Sequence, residues 1–188
     1  MASFLSLLFV FYVIVIMSSS LPTTSENFAK ESPVFASAKP LEKLTQLHFY
    51  FHDSIRGKNP TSMYIVEPPK GSINRFGSLI MMDDPLTEGP GPNSKLVGRS
   101  QGMYAVASQH EYGLSIMASF LFTEGIYNGS TLSIVGMNHA LQNVREISVV
   151  GGSGVFRYAR GSALLKTYFY NGISGAAIVE CNVSAIHV

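Results

Sequence analysis

Cysteine occurs once in this 188-residue chain, at Cys181. No intrachain disulfide can form, so the fold must be held by packing, by closure of a sheet or by association of subunits. Charge is scarce and balanced: 13 Lys and Arg stand against 12 Asp and Glu, and together they make up 13% of the residues. A protein that tracks nucleic-acid phosphates needs a basic field, which this composition excludes; a neutral or weakly charged partner fits it better. A sustained helical stripe is also missing, apart from one turn's worth of pattern at "NHALQNV", residues 138–144.

Motifs for the common chemistries are absent too. "VVGGSGVFRYARG", residues 149–161, lacks both the GxGxxG spacing before a helix and a Walker lysine, so its glycines read as turn residues. GxSxG does not occur, and the "GGSG" around Ser153 has no strand-to-helix elbow. His48 and His52 have the i, i+4 spacing of a helical zinc pair, but "HFYFH" lacks the HExxH glutamate and sits in a strand pattern. On a strand their backbones lie roughly 13 Å apart, too far for one tetrahedral ion. No metal site and no cofactor is expected.

What is present begins with an uncharged apolar run from Phe4 to Met17 that gives way to Ser, Pro and Thr. That is the pattern of a secretory signal peptide, expected over residues 1–25, which would send the protein to the extracellular space; the alternative, a membrane anchor, is disfavoured because the run is short for a span and no stop-transfer charges follow it. Residues 26–40 lack periodicity and read as a flexible arm. The remaining chain, 41–188, suits one domain with its own core. In an exported chain, Asn128 in "NGS" and Asn182 in "NVS" are glycosylation acceptors, whereas "NPT" at 59–61 is excluded by its proline.

From Leu44 onward, short alternating or apolar segments are punctuated by glycine turns. Strands are expected at 44–53, 62–67, 75–82, 96–107, 112–123, 131–137, 145–150, 154–160, 162–170 and 176–187, some of them arms of one bent strand. The acidic, Pro- and Gly-rich "DDPLTEGPGPNSK", residues 83–95, reads as a long loop at one end of the scaffold. Short connections between long strands, and glycines where a curved sheet can bend, favour an all-β, antiparallel, up-and-down barrel over a sandwich. Closure also removes both edges, a hazard in so apolar a chain.

One strand carries polar groups that a simple core does not need. In "LTQLHFYFHDS", residues 44–54, Leu47, Phe49 and Phe51 share one parity and His48, Tyr50 and His52 the other, with Asp53 following. Those polar groups must face water, find partners or line a cavity.

The chain resembles the plant dirigent family over almost all of its length beyond the leader. The carrying stretches are "LTQLHFYFHDSIRGKNPTS", "FGSLIMMDDPLTEGPGPNSKLVGRSQGMY", "YNGSTLSIVGMNHALQNVREISVVGGSGVFRYARG" and "AIVECNV", in order. The resemblance implies a secreted, eight-stranded antiparallel β-barrel, similar to allene oxide cyclases in fold and assembled as a trimer. It implies that monolignol phenoxy radicals, such as those of coniferyl alcohol made by a separate laccase or peroxidase, couple regio- and stereoselectively in the barrel during lignan biosynthesis. Oxidation would not be the protein's own.

The same resemblance places Asp53 as a cavity carboxylate that assists quinone-methide ring closure, and Tyr104 in "QGMY" and Arg145 in "NVRE" as pocket residues. Read without it, Asp53 is equally a strand-end Asp capping a turn, Tyr104 a core filler and Arg145 half of a surface ion pair. Phe49 and Tyr50 have opposite parity, so only one faces the pocket; Phe49 is the candidate. Asn138 stands seven positions before Arg145, where some lignan-forming members carry an acid. An amide binds an oxygen but supplies no carboxylic proton, which separates this chain from those members. Two alternatives stay open: a cyclase or isomerase of an aromatic or lipid-derived intermediate, needing no external oxidant, and a non-catalytic cell-wall or defence binding protein.

Overall fold

The computed structural model describes residues 41–188, so the expected leader and arm lie outside the described residues. Nine strands follow one another among the described residues: β1 (Lys43–Ser54), β2 (Ser62–Val66), β3 (Leu79–Thr87), β4 (Leu96–Val106), β5 (Gly113–Phe122), β6 (Thr131–His139), β7 (Arg145–Ser153), β8 (Arg160–Asn171) and β9 (Ala176–His187). Three single-turn 3-10 segments, at Ile73–Arg75, Gly125–Tyr127 and Gly154–Phe156, interrupt them. Strands β3 to β9 pair in sequence order, each antiparallel to the next, and β1 joins β9 along its entire length, from Lys43 opposite His187 to Ser54 opposite Ala176. Pairing of β1 with β3, Tyr50 opposite Thr87 and Phe51 opposite Leu86, closes the ring. The result is an eight-stranded antiparallel barrel with β2 as an extra strand on the other half of the β3 edge.

Side chains alternate across this ring as the period of a strand requires. Phe49, Ile80, Leu86, Phe120, Leu132, Ile147, Leu165, Cys181 and Val183 point inward and are almost completely buried. Aromatic rings concentrate at one end. Phe49 meets Phe120 edge-on at 5.0 Å, and Phe156 stacks on Tyr127 at 5.2 Å and tilts against Phe122 at 5.6 Å. These large, rigid groups fill the barrel there and leave room nearer the other end, where β1 runs out through Phe51 and Asp53.

Several sequence expectations need correction. Residues 83–87 are not loop: β3 continues through Asp83, Asp84 and Pro85 to Thr87, while the strand expected at 75–82 starts only at Leu79. Proline is tolerated because Asp83 N–H donates outward to the Thr61 carbonyl (2.9 Å), so position 85 faces the same edge, in the gap where β2 has ended and β1 has not begun to pair. The strand expected at 154–160 is instead the Gly154–Phe156 turn, which drives Phe156 into the aromatic plug, followed by Tyr158 at positive φ. Residues 138–144 form no helix; β6 runs to His139 and a turn follows.

One glycine serves close approach. A Cβ on Gly161 would lie 1.9 Å from the Ser184 carbonyl oxygen of β9, so β8 can lie against β9 there only without a side chain. Asn128 is exposed at a turn, and Asn182 is exposed on the outward face of β9.

Candidate functional site

The open part of the barrel is a cavity of about 620 Å³. Its volume is in the usual range for small-molecule sites, and its wall is mostly apolar, with Phe51, Met82, Leu114, Ile116, Phe120, Ile134, Leu165 and Val179. Polar groups enter at a few points: Asp53 from β1, Ser100 and Tyr104 from β4, Asn138 from β6, Arg145 from β7 and Thr167 from β8. Each reaches inward for a local reason. Asp53 shares the parity of Phe49 and Phe51, Tyr104 that of Val106, Arg145 that of Ile147 and Val149, and Thr167 that of Ala163 and Leu165.

Asp53 and Tyr104 form the first polar cluster. The Tyr104 hydroxyl donates to Asp53 Oδ2 (3.0 Å), while Asp53 Oδ1 is buried without a hydrogen-bond partner. Burial pushes the Asp53 carboxyl above the ordinary carboxylate range, opposed by the hydroxyls of Ser62 and Tyr104. Burial also pushes the Tyr104 phenol up, with the negative charge of Asp53 adding to it, so Tyr104 is a donor and not an ionisable base. A carboxyl whose pKa burial raises, at the edge of an apolar cavity, is a candidate to exchange a proton with a bound hydroxyl.

Asn138 and Arg145 form the second, brought together by the turn between β6 and β7. Arg145 Nε donates to Asn138 Oδ1 (2.9 Å), and both residues are buried. Burial lowers the Arg145 pKa, yet a guanidinium keeps its charge in any accessible range. The surface ion pair considered for Arg145 is therefore ruled out. Its remaining N–H groups offer a cation to a phenolate or ether oxygen, with Asn138 fixing the plane of the fork.

Phe49 does not line the cavity; it packs in the plug beneath it, against Phe120 and Phe122. The ring that faces the cavity from β1 is Phe51, two residues on. Sequence reasoning also missed Thr167, Tyr112, Tyr170 and the buried Asp84 behind the wall. Parity from Ala163 and Leu165 could have flagged Thr167. Asp84 carried no usable signal, because its strand had been read as loop.

The histidines of β1 face outward, where they find partners. His48 Nε2 pairs with Glu180 (3.0 Å), and His52 Nε2 hydrogen-bonds the Thr87 hydroxyl (2.7 Å), which itself donates to the Gly89 carbonyl. Asp83 pairs with Arg99 on the outer wall. Among the described residues, no group of three His, Cys, Asp or Glu side chains is placed to hold a metal ion.

A closed antiparallel barrel with a mostly apolar internal cavity and two separate polar clusters defines a class of small-molecule-guiding barrels. The chain belongs to the dirigent family: the family model described as "Dirigent-like protein" matches residues 44–186. Dirigent protein 11 of Arabidopsis thaliana is 46% identical over 167 residues, covering 88% of this chain and 84% of that protein. Pterocarpan synthase 1 of Glycyrrhiza echinata is 48% identical over 150 residues, covering 78% and 79%. Among solved structures, a pterocarpan synthase dirigent protein superposes with a TM-score of 0.79 at 43% identity, covering 85% of this chain and 99% of that one.

Proposed function

We propose that the protein is a stereochemical guide for a reactive phenolic intermediate held in the barrel, with Asp53 handling a proton as a C–O bond closes. The observation that carries this reading is the separation of two polar clusters across an apolar cavity: a proton-transferring pair, Asp53 and Tyr104, and a cationic pair, Asn138 and Arg145. A neutral aromatic intermediate fits the apolar wall, and its two oxygens have different partners.

The chemistry suited to such a site is addition of a hydroxyl to a quinone methide. As the hydroxyl oxygen bonds to the methide carbon, the electron pair of the exocyclic C=C moves through the ring to the carbonyl oxygen, which becomes a phenolate beside Arg145 and then takes up a proton. The attacking hydroxyl gives its proton to Asp53, so protons and electrons balance without an oxidant. Tyr104 holds the carboxylate in place, and proton transfer from a positioned group contributes typically 10²–10⁴-fold in rate. Selectivity asks for little: tenfold preference for one face requires about 1.4 kcal/mol, within reach of one or two contacts.

Two substrate classes follow. In the first, two monolignol phenoxy radicals, generated by a partner laccase or peroxidase, couple in the cavity and the resulting quinone methides close as above. In the second, one molecule loses its benzylic hydroxyl as water, the conjugated phenol giving up the proton, and the resulting quinone methide is closed by an internal hydroxyl as above. The kinship with proteins named pterocarpan synthase favours this one, because a pterocarpan is a fused aromatic ether made by closing a C–O bond. Asn138, in place of the acid of some lignan-forming members, points the same way. On either reading the protein is secreted to the apoplast by its apolar leader and is glycosylated at the exposed Asn128.

A trimer is part of the proposal. Met63, Met81, Met103, Met117 and Val135 stand opposite one another on five successive strands, forming an outward apolar row across the barrel wall. Such a patch suits burial between subunits.

Chiral analysis of products tests the function. One arm oxidises coniferyl alcohol with a laccase, with and without the protein; the other supplies, without oxidant, a hydroxylated isoflavan that forms a pterocarpan by loss of water. Enantiomeric excess that depends on the protein in either arm supports guidance and identifies the class. Racemic, unchanged products in both arms overturn it.

A further inference from the structure

Asp84 is 0% exposed, and nothing above uses it. The Ser62 hydroxyl donates to its Oδ1 (3.3 Å), whereas its Oδ2 is buried with no partner, like Asp53 Oδ1. Barrel closure explains why these two meet. The β1–β3 pairing ends at Phe51 opposite Leu86, and beyond it Asp53 and Asp84 keep inward parity on either side of Ser62, whose hydroxyl acts on both carboxyls. Like charges repel, and two carboxylates in a dry wall resist being ionised together.

The surroundings supply no compensating charge. Tyr64, Tyr104 and Tyr112 face this region from β2, β4 and the turn before β5, and burial raises all three phenols, keeping them neutral. Asp83, the outward neighbour, is paired with Arg99, while Arg75 lies over the Tyr64 ring at 4.7 Å and Arg56 also acts on that phenol. Among the described residues, no cation forms an ion pair with Asp53 or Asp84.

The geometry points to a carboxyl–carboxylate pair: Asp53 and Asp84 share one proton, and Asp84, sealed behind the cavity wall, is the positioning residue that leaves Asp53 as the charged, working member. Asp84 keeps the proton because it lies deeper; Asp53 carries the charge because the Tyr104 hydroxyl donates to it. In agreement, burial and then the charge of Asp53 push the Asp84 carboxyl up to about 8. When a substrate hydroxyl gives its proton to Asp53, the pair passes from one proton to two and from a single negative charge to neutral. It returns by releasing one proton to the new phenolate oxygen or to water.

This role in chemistry rests on the proton-transferring reading of the cavity, but the pairing does not. The test is therefore made without substrate, by ¹³C NMR of the folded protein labelled at aspartate side-chain carboxyls and titrated with pH. Interacting sites titrate in steps that belong to the pair. Wild type should show the Asp53 and Asp84 resonances each moving in two steps, the upper one near pH 8. In Asp84→Asn, Asp53 should show a single step and the upper step should vanish. A one-step Asp53 titration, with the same midpoint in wild type and Asp84→Asn, overturns the pairing. If Asp84→Asn does not fold, Asp53→Asn decides: with the neighbouring charge gone, Asp84 should titrate in a single step at lower pH, and an Asp84 upper step left where it was overturns the pairing. Racemic products in the chiral assay would reject the cavity reading and leave this titration unaffected.

Discussion

At the scale of single residues, the polar side chains of the cavity were partly legible in the sequence and partly hidden by nonlocal pairing. Asp53 could be read because it continues the parity of Phe49 and Phe51, so it had to point wherever they point. Phe49 was misplaced because parity gives the face and not the depth: it enters the plug, and Phe51 takes the cavity position. Asp84 was illegible because its neighbour Asp53 is distant in the chain and is brought near by barrel closure. Arg145 illustrates what the cavity asks of one side chain. Truncation in Arg145→Ala leaves Asn138 Oδ1 without its donor and removes the cation, which should weaken binding of a phenolic ligand about 10–100-fold. Titration calorimetry with the substrate of the active arm checks this, and unchanged affinity would place the ligand elsewhere.

At the scale of elements, the long ladders of β1, β8 and β9 decide stability. Alternation predicted these strands to within a residue or two, since one face is packed and the other wet. The β3 region failed that reading because Asp-Asp-Pro carries turn composition inside a strand, and only the change of neighbour from β2 to β1 accommodates the proline. At Gly161 the β9 backbone leaves no room for a side chain on β8. Its replacement by Ala forces a Cβ against the Ser184 carbonyl and should cost roughly 1–3 kcal/mol, read as a lower melting temperature. Ala at Gly151, which meets nothing within 4 Å, should cost much less. Equal losses at the two positions would contradict the packing argument.

At the scale of the whole molecule, closure of the sheet replaces the disulfides that a single cysteine forbids, and buried carboxylates make the fold sensitive to pH. Asp84 is held up to about 8, above its value in the unfolded chain. Below about pH 4 both states are protonated and there is no penalty; as pH rises towards 8 the unfolded chain ionises first, so stability falls. Asp84→Asn should remove this slope and be more stable than wild type at pH 8–9, by on the order of a few kcal/mol. Denaturant melts at pH 5 and pH 8.5 check it, and a parallel decline in both proteins would contradict it. In the proposed trimer the outward methionine row lies between subunits, so Met117→Glu should shift sedimentation towards the monomer, and an unchanged sedimentation would reject that interface. The central claim concerns the cavity carboxylate, and its most direct test is the enantiomeric excess obtained with wild type and with folded Asp53→Asn, under identical conditions in the active arm. The account predicts a clear excess with wild type that drops to near racemic, with ring closure slowed at least about 100-fold, in Asp53→Asn. An undiminished excess and rate in Asp53→Asn would show that the barrel guides its substrate without the proton chemistry assigned to Asp53.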